Sequence, residues 1–333
     1  MTISRAGRTT RPLSLLVAAL VCLLFTASED ISVAGIQGSG KTYRMTAYGQ
    51  ITQFGSIFVN GVEYDISGAR IRINGHPAAE SGLRVGQVVT VKGDVNADAT
   101  EGDAREVSVA SAVVGPLAQV DLAGGTLVVL GQRIRLLPDT FLDQPLHLGG
   151  LLGLVPGIGV EVSGYPNAAG EIEATRIDLV RGNANPRLSG TVQALNPNAH
   201  TFKINSQTVD YGAVVPQGVL ANGATVAVEG YVPLLQTVLR ATNVNVVNGV
   251  GGEADELGQI DGVITTYSSA TEFALGSQRI ATDGDTVFFL NGRTLGPDLA
   301  VIVRGTYDSA GVLVAREVKA TSPGSADVTA FDD

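Results

Sequence analysis

The sharpest chemical pattern in the chain is Gly35-Ile36-Gln37-Gly38-Ser39-Gly40-Lys41-Thr42, which meets the phosphate-loop spacing in full. Such a loop works because backbone N–H groups and a helix N-terminus face the phosphates, so it needs a strand before it and a helix after it. Here an apolar leader precedes the motif, and residues 43–51 run into a strand-like segment. Gly35, Gly40, Lys41 and Thr42 are therefore expected to be a coincidental match, and no cofactor is expected. A second pattern, Asp94, Asn96 and Asp98 with Glu101, Asp103 and Glu106 nearby, sets oxygen ligands at alternate positions, as calcium loops do. Ala99 stands where the turn of such a loop wants Gly, and Arg105 where a bidentate Glu belongs. The expectation is a solvated hairpin turn, with Asp94, Asn96 and Asp98 the only metal candidates.

Other chemistry is thin. His76, His147 and His200 lie far apart with no paired spacing, and there is no Gly-x-Ser-x-Gly elbow, no His-Glu-x-x-His and no Cys pair. Asp283 with Asp285 has the composition of an acid and base pair, but acids in a turn are ordinarily just solvated. No catalytic residue is expected, so the chain reads as a non-enzyme. Tyr165, Tyr231 and Tyr307 recur at similar places along the chain, as a packing or turn role would have them.

The elements that must position these residues follow from composition. In 333 residues there are 42 Gly and no Trp, and 44% of the side chains are hydrophobic. That combination calls for tight turns joining short aliphatic strands, with cores closed by Val, Ile and Leu. The 22 basic against 32 acidic side chains argue against nucleic acid, which is gripped by clustered Lys and Arg. At the N-terminus, Arg5, Arg8 and Arg11 precede an apolar run of thirteen residues at 13–25. The run is shorter than the ~20 residues of a spanning helix and matches a secretory signal. Ser32 and Ala34 frame a cut before Gly35, making 1–34 a signal peptide; Thr26 and Ser28 frame another before Glu29. Cys22 inside the run lacks the small neighbours of a lipoprotein signal. Removal of 1–34 leaves a net charge of −11 and no cysteine, hence no disulfide, and no membrane span in the mature chain.

Self-similarity organises the remainder. One phrase occurs four times: Val89-Thr90-Val91-Lys92-Gly93, Val160-Glu161-Val162-Ser163-Gly164, Val226-Ala227-Val228-Glu229-Gly230 and Val301-Ile302-Val303-Arg304-Gly305. An opening glycine precedes each, at Gly49, Gly115, Gly190 and Gly262, and a closing strand follows from Ala104, Ala174, Ala241 and Ala315. The copies are read at 47–110, 113–182, 187–247 and 258–320, with net charges of −3, −3, +1 and −2. A Gly-rich leader fills 35–46, a flexible acidic linker 248–257, and a disordered acidic tail 321–333. Within a copy the apolar period is two, and Asn60-Gly61 supplies the positive backbone angles of a two-residue hairpin turn. Around five or six short strands in 60 to 70 residues suit a small barrel, because closure removes exposed edges. Only residues 146–155 could pass for a short helix. The fold class is all-β: four tandem small β-barrels after a signal peptide.

The repeated phrases, with Phe54-Gly55-Ser56-Ile57-Phe58-Val59-Asn60-Gly61-Val62, resemble exported bacterial proteins built from tandem copies of domain of unknown function 5666. The resemblance spans 35–320 and is most specific in the first copy. It implies OB-like barrels in the cell envelope and brings no catalytic residue. The resulting expectation is a periplasmic or secreted, non-catalytic protein whose four beads form an extended scaffold or binding surface. Its partner would be an envelope protein or polysaccharide, with no nucleic acid. The alternative is an envelope-polymer hydrolase with a carboxylate site between domains.

Overall fold

The computed structural model describes residues 41–143, 153–180, 185–234 and 236–321. The signal peptide, its cleavage site, Gly35, Gly40, His147, most of 146–155 and the tail beyond Thr321 lie outside the described residues. The first copy consists of β1 (Tyr43–Gln50), β2 (Ile57–Val59), β3 (Val62–Asp65), β4 (Arg70–Ile73), β5 (His76–Pro77), β6 (Val88–Val95) and β7 (Glu101–Val109). The second holds β8 (Val113–Asp121), β9 (Thr126–Val129), β10 (Gln132–Leu142), β11 (Gly159–Pro166) and β12 (Ile172–Leu179). The third holds β13 (Arg187–Thr191), β14 (Gln193–Asn196), β15 (Thr201–Ile204), β16 (Gln207–Asp210), β17 (Thr225–Tyr231) and β18 (Leu239–Val246). The fourth holds β19 (Leu257–Ser269), β20 (Glu272–Leu275), β21 (Gln278–Ala281), β22 (Val287–Phe289), β23 (Ala300–Tyr307) and β24 (Leu313–Ala320).

Each copy closes into a five-stranded barrel of one topology. In the second, β8, β9 and β10 pair antiparallel in succession, β10 runs parallel to β12, β12 pairs β11, and β11 returns to β8. The same circuit recurs as β19, β20, β21, β24, β23 in the fourth copy. It recurs in the third, where the first strand breaks between β13 and β14. In the first, the bridge Ile51↔Val59 joins β1 to β2 and completes it. This is the strand order of the OB fold, a partly open Greek-key barrel. The first strand already begins at Tyr43, inside the stretch read as leader.

The four repeat glycines are structural necessities. At Gly93, Gly164, Gly230 and Gly305 the register between the fourth and fifth strands slips at a bulge. A methyl there would strike the carbonyl oxygen of Asp103, Glu173, Arg240 or Val314 on the facing strand. Only a residue without Cβ lets the two backbones approach so closely. The cores are aliphatic for the most part, as the composition implies, but not wholly. Tyr64, Phe202, Phe273 and Tyr307 rank among the largest fully buried side chains, because the few aromatics of this chain are spent where a barrel needs volume. The second barrel fills its centre with Leu117, Leu127, Ile134, Val160 and Ile177 instead.

Strand pairing ties the barrels to one another. β1 pairs in parallel with β19, Met45 to Tyr48 opposite Leu257 to Ile260, so the first and fourth barrels share one sheet. Asn60, at φ 53°, locks that seam. Its amide donates to the carbonyls of Tyr48 (3.0 Å) and Gln259 (3.3 Å), and the Gln259 amide donates back to the Asn60 carbonyl (2.8 Å). β8 pairs with β13 to join the second and third barrels. Asn205 then reaches Gln132 Oε1 (2.6 Å) and the Gly170 carbonyl (2.9 Å). The acidic segment read as a flexible linker between the third and fourth copies is laid onto the first and fourth barrels. Lys92 donates to the Gly251 carbonyl (2.6 Å), Val250 N–H to Gln278 (3.1 Å), and Arg44 pairs with Glu253.

Candidate functional site

One face of the barrel is used twice, once closed and once open. On the second barrel it is built by Tyr165, one residue beyond the bulge glycine on β11, and by Glu173 and Thr175 on β12. This face is filled by sister barrels. The Tyr165 hydroxyl donates to Asp261 of the fourth barrel at 2.7 Å, and its ring meets Tyr48 of the first edge-on at 6.1 Å. Val88, Val263 and Ala300 complete an apolar plug around it. Thr175 donates to the Gly86 carbonyl at 2.7 Å, and Arg176 reaches the Val85 carbonyl while pairing with Asp178.

Burial shapes the ionisable groups here. Desolvation pushes the Asp261 carboxyl up to about 6, against the pull of the hydrogen bonds from Tyr165 and the Gly262 backbone. Desolvation, with the neighbouring Asp261 charge, also holds Tyr165 well above an ordinary phenol. Glu173 is raised by burial, offset in part by Arg135 at 4.0 Å. These groups are gathered where three barrels meet.

On the third barrel the same positions stand open. Strand register equates Tyr231 with Tyr165, Arg240 with Glu173 and Thr242 with Thr175. The parallel pairing of the third and fifth strands equates Asp210 with Arg135. The acid and base have exchanged places. Tyr231 is 51% exposed, whereas Tyr165 is 5% and Tyr307 1% exposed. Together with Gly212, Ala213, Val214 and Ala241, these residues line a cleft of about 490 Å³. Asp210 is held by the Gly212 N–H at 2.9 Å, and Thr242 reaches the Glu229 carbonyl at 3.3 Å. Arg240 has no hydrogen-bond or ion-pair partner among the described residues. The cleft thus offers a flat ring, a free guanidinium, a carboxylate and a hydroxyl, which is recognition chemistry: stacking plus charge-assisted hydrogen bonds.

The residues singled out from sequence fall elsewhere. Lys41 and Thr42 lead directly into β1, a strand where a phosphate loop needs a helix, and the Lys41 ammonium sits 5.1 Å from the Tyr43 ring centre. Asp94, Asn96 and Asp98 lie in the β6–β7 hairpin. Asp94 is engaged by Arg105 at 2.5 Å, and Asn96 accepts from the Thr100 (2.9 Å) and Glu101 (3.3 Å) N–H groups. Among the described residues no cluster of three His, Cys, Asp or Glu side chains is placed to hold a metal. Asp283 caps its own turn through the Asp285 N–H, His76 is exposed on β5, and His200 meets the Tyr211 ring. Of the recurrent tyrosines, Tyr165 and Tyr307 are packing residues and Tyr231 is not. Among the described residues no helix is long and apolar enough to cross a membrane.

A family model described as "Domain of unknown function (DUF5666)" matches residues 48–107, 114–178 and 261–319, together more than half of the chain. No curated protein matches the sequence at a significant level. Similar solved structures include Drosophila Unr CSD456, 14% identical, covering 62% of this chain and 97% of that one with a TM-score of 0.19. Another is a multidomain protein with nucleic acid binding domains from Streptococcus pneumoniae TIGR4, 9% identical over 63% of this chain and 72% of that one, with a TM-score of 0.16. Scores this low say nothing about what the chain binds.

Proposed function

The chain belongs to the DUF5666 family, and from that membership and the open face of its third barrel we propose an exported, non-catalytic binding frame of the cell envelope. The leader at 1–34 carries the export half of this reading. The single observation that carries the binding half is Tyr231: one position of the repeat, occupied by the same residue in two barrels, is plugged by sister barrels in one and bare in the other. A frame of four barrels tied by shared sheets holds such a face rigidly, which lowers the entropic cost of binding. The ligand class is an envelope protein or a polysaccharide, since ring stacking and a guanidinium serve both. The acidic barrels around the face argue against nucleic acid.

The test is a photo-crosslinking amino acid at position 231, with the same group at Tyr43 as control, in cells expressing the full chain. A discrete adduct formed from 231 alone, and lost with Arg240→Glu, is expected; equal labelling from both positions would end the proposal. A hydrolase reading has one observation in its favour, the Asp261 carboxyl raised to about 6 in hydrogen-bond contact with Tyr165. If that carboxyl were a general acid, Asp261→Asn would abolish turnover of an envelope polymer by the purified protein. On the binding reading it leaves the crosslink at 231 intact.

A further inference from the structure

The third barrel's face and the edge of β22 on the fourth barrel are complementary exposed surfaces. Near Tyr231 in the chain comes Leu234, and next to Val214 of the cleft comes Val215, at 90 and 89% exposure. Arg240 lines that cleft without a partner, on a barrel whose net charge of +1 contrasts with the acidic charge of the other three. β22 presents Val287, Phe288 and Phe289, at 51, 38 and 48% exposure. It pairs with β24 on one side and ends its sheet on the other. The corresponding strand of the first barrel, β4, pairs the same way with β7 but is covered by β5. At the corresponding end of β10, Phe141 is 42% exposed but has one edge against Gly86 of the first barrel. Immediately before β22 come Asp283 and Asp285, the latter only loosely paired with Arg316 at 3.5 Å between two exposed side chains.

We infer that a second copy of this chain occupies the open face, with β22 and Asp285 of one copy seated against Tyr231 and Arg240 of the other. The inference rests on the reading of that face as a binding surface and names its occupant. Three observations carry it. The face is the equivalent of the one that the second barrel already uses to hold barrels of this same chain. The two surfaces match in character, apolar against apolar and Arg240 against a pair of acids. Each copy carries both halves, so two copies arranged about a two-fold axis would make two identical contacts, the commonest form of assembly. Fixing the bare backbone edge of β22 against a partner also removes a site of uncontrolled strand addition.

Sedimentation equilibrium of the mature chain from about 1 to about 500 µM is expected to show a monomer–dimer equilibrium in the micromolar range, as fits a contact of modest size. Arg240→Glu and Asp285→Arg each place like charges across both contacts and are expected to weaken the dimer at least about tenfold. Mixing the two variants rebuilds one contact with reversed charges and leaves the other native, so a mixed dimer of near wild-type strength is expected. Phe288→Asp supplies a second route to the monomer that does not touch Arg240. A wild-type chain that stays monomeric throughout, or a dimer indifferent to all three substitutions, overturns the inference. In that event a specific adduct from position 231 to another envelope component would leave the binding frame standing with a different occupant.

Discussion

The side chain with most leverage on the assembly is Asp261, a carboxyl enclosed by three barrels and served by one phenol. Its folded pKa of about 6 lies above the ordinary value of 3.8. The stabilisation it contributes is therefore complete below about pH 4 and is lost as pH rises through about 6, where the joint must hold a charge. A shift of this size corresponds to about 2 to 3 kcal/mol. Thermal denaturation of the wild type is expected to show a fall in stability between about pH 4.5 and 7.5 that exceeds the fall in Asp261→Asn by that amount. Identical pH profiles would show that the carboxyl is solvated in the folded protein. Tyr165→Phe removes the donor that favours the ionised form, and is expected to move the extra fall to higher pH. None of this was visible in the sequence, where Asp261 is one acid among 32. Tyr165 and Tyr231 likewise share residue type and repeat position, and only the neighbours brought by folding decide which is buried.

The strand pair that carries the bulge glycine is the element that makes the repeat legible. Gly93, Gly164, Gly230 and Gly305 could be found from the sequence because a backbone contact that tolerates no Cβ forces the same residue at the same place in every barrel. The alternation of Val and polar residues before them marks the strand for the same reason, since one face of it is always core. Gly164→Ala is expected to cost about 2 kcal/mol or more in urea unfolding, because facing backbones must part to admit the methyl. The same change at Gly55, which has open space around it but φ of 136°, is expected to cost only the strain of that backbone angle, about 1 kcal/mol. Equal losses at the two sites would mean that the bulge yields freely. The aromatic cores were less legible. Phe202 and Phe273 hold one and the same place on the second strand of their barrels, but the second barrel has Leu127 there and the first has Ile57, its ring coming instead from the facing Tyr64, so the position announces an aromatic in only two of the four copies.

At the scale of the molecule, the seam between β1 and β19 decides the architecture, and sequence carries no mark of it. Four similar barrels offer four similar first strands, and which two pair is settled by a few side chains such as Asn60 and Gln259. Since both barrels share the seam, Asn60→Ala is expected to raise amide exchange in β1 and β19 together, by roughly tenfold for the loss of hydrogen bonds worth about 1 kcal/mol or more. Exchange in β13 and β17 of the third barrel should stay unchanged, and loosening confined to the Asn60 hairpin would separate the two barrels energetically. The seam also imposes a schedule. Met45 meets Leu257, and at about 5 to 20 residues per second the ribosome needs on the order of 10 to 40 s to make the chain between them. For that interval the first barrel exists with a strand edge waiting for its mate, long after its own core could have closed. The newborn protein is thus asked to keep one side sticky and yet unsatisfied, which makes its early life, more than its finished state, the period when a chaperone has most to hold.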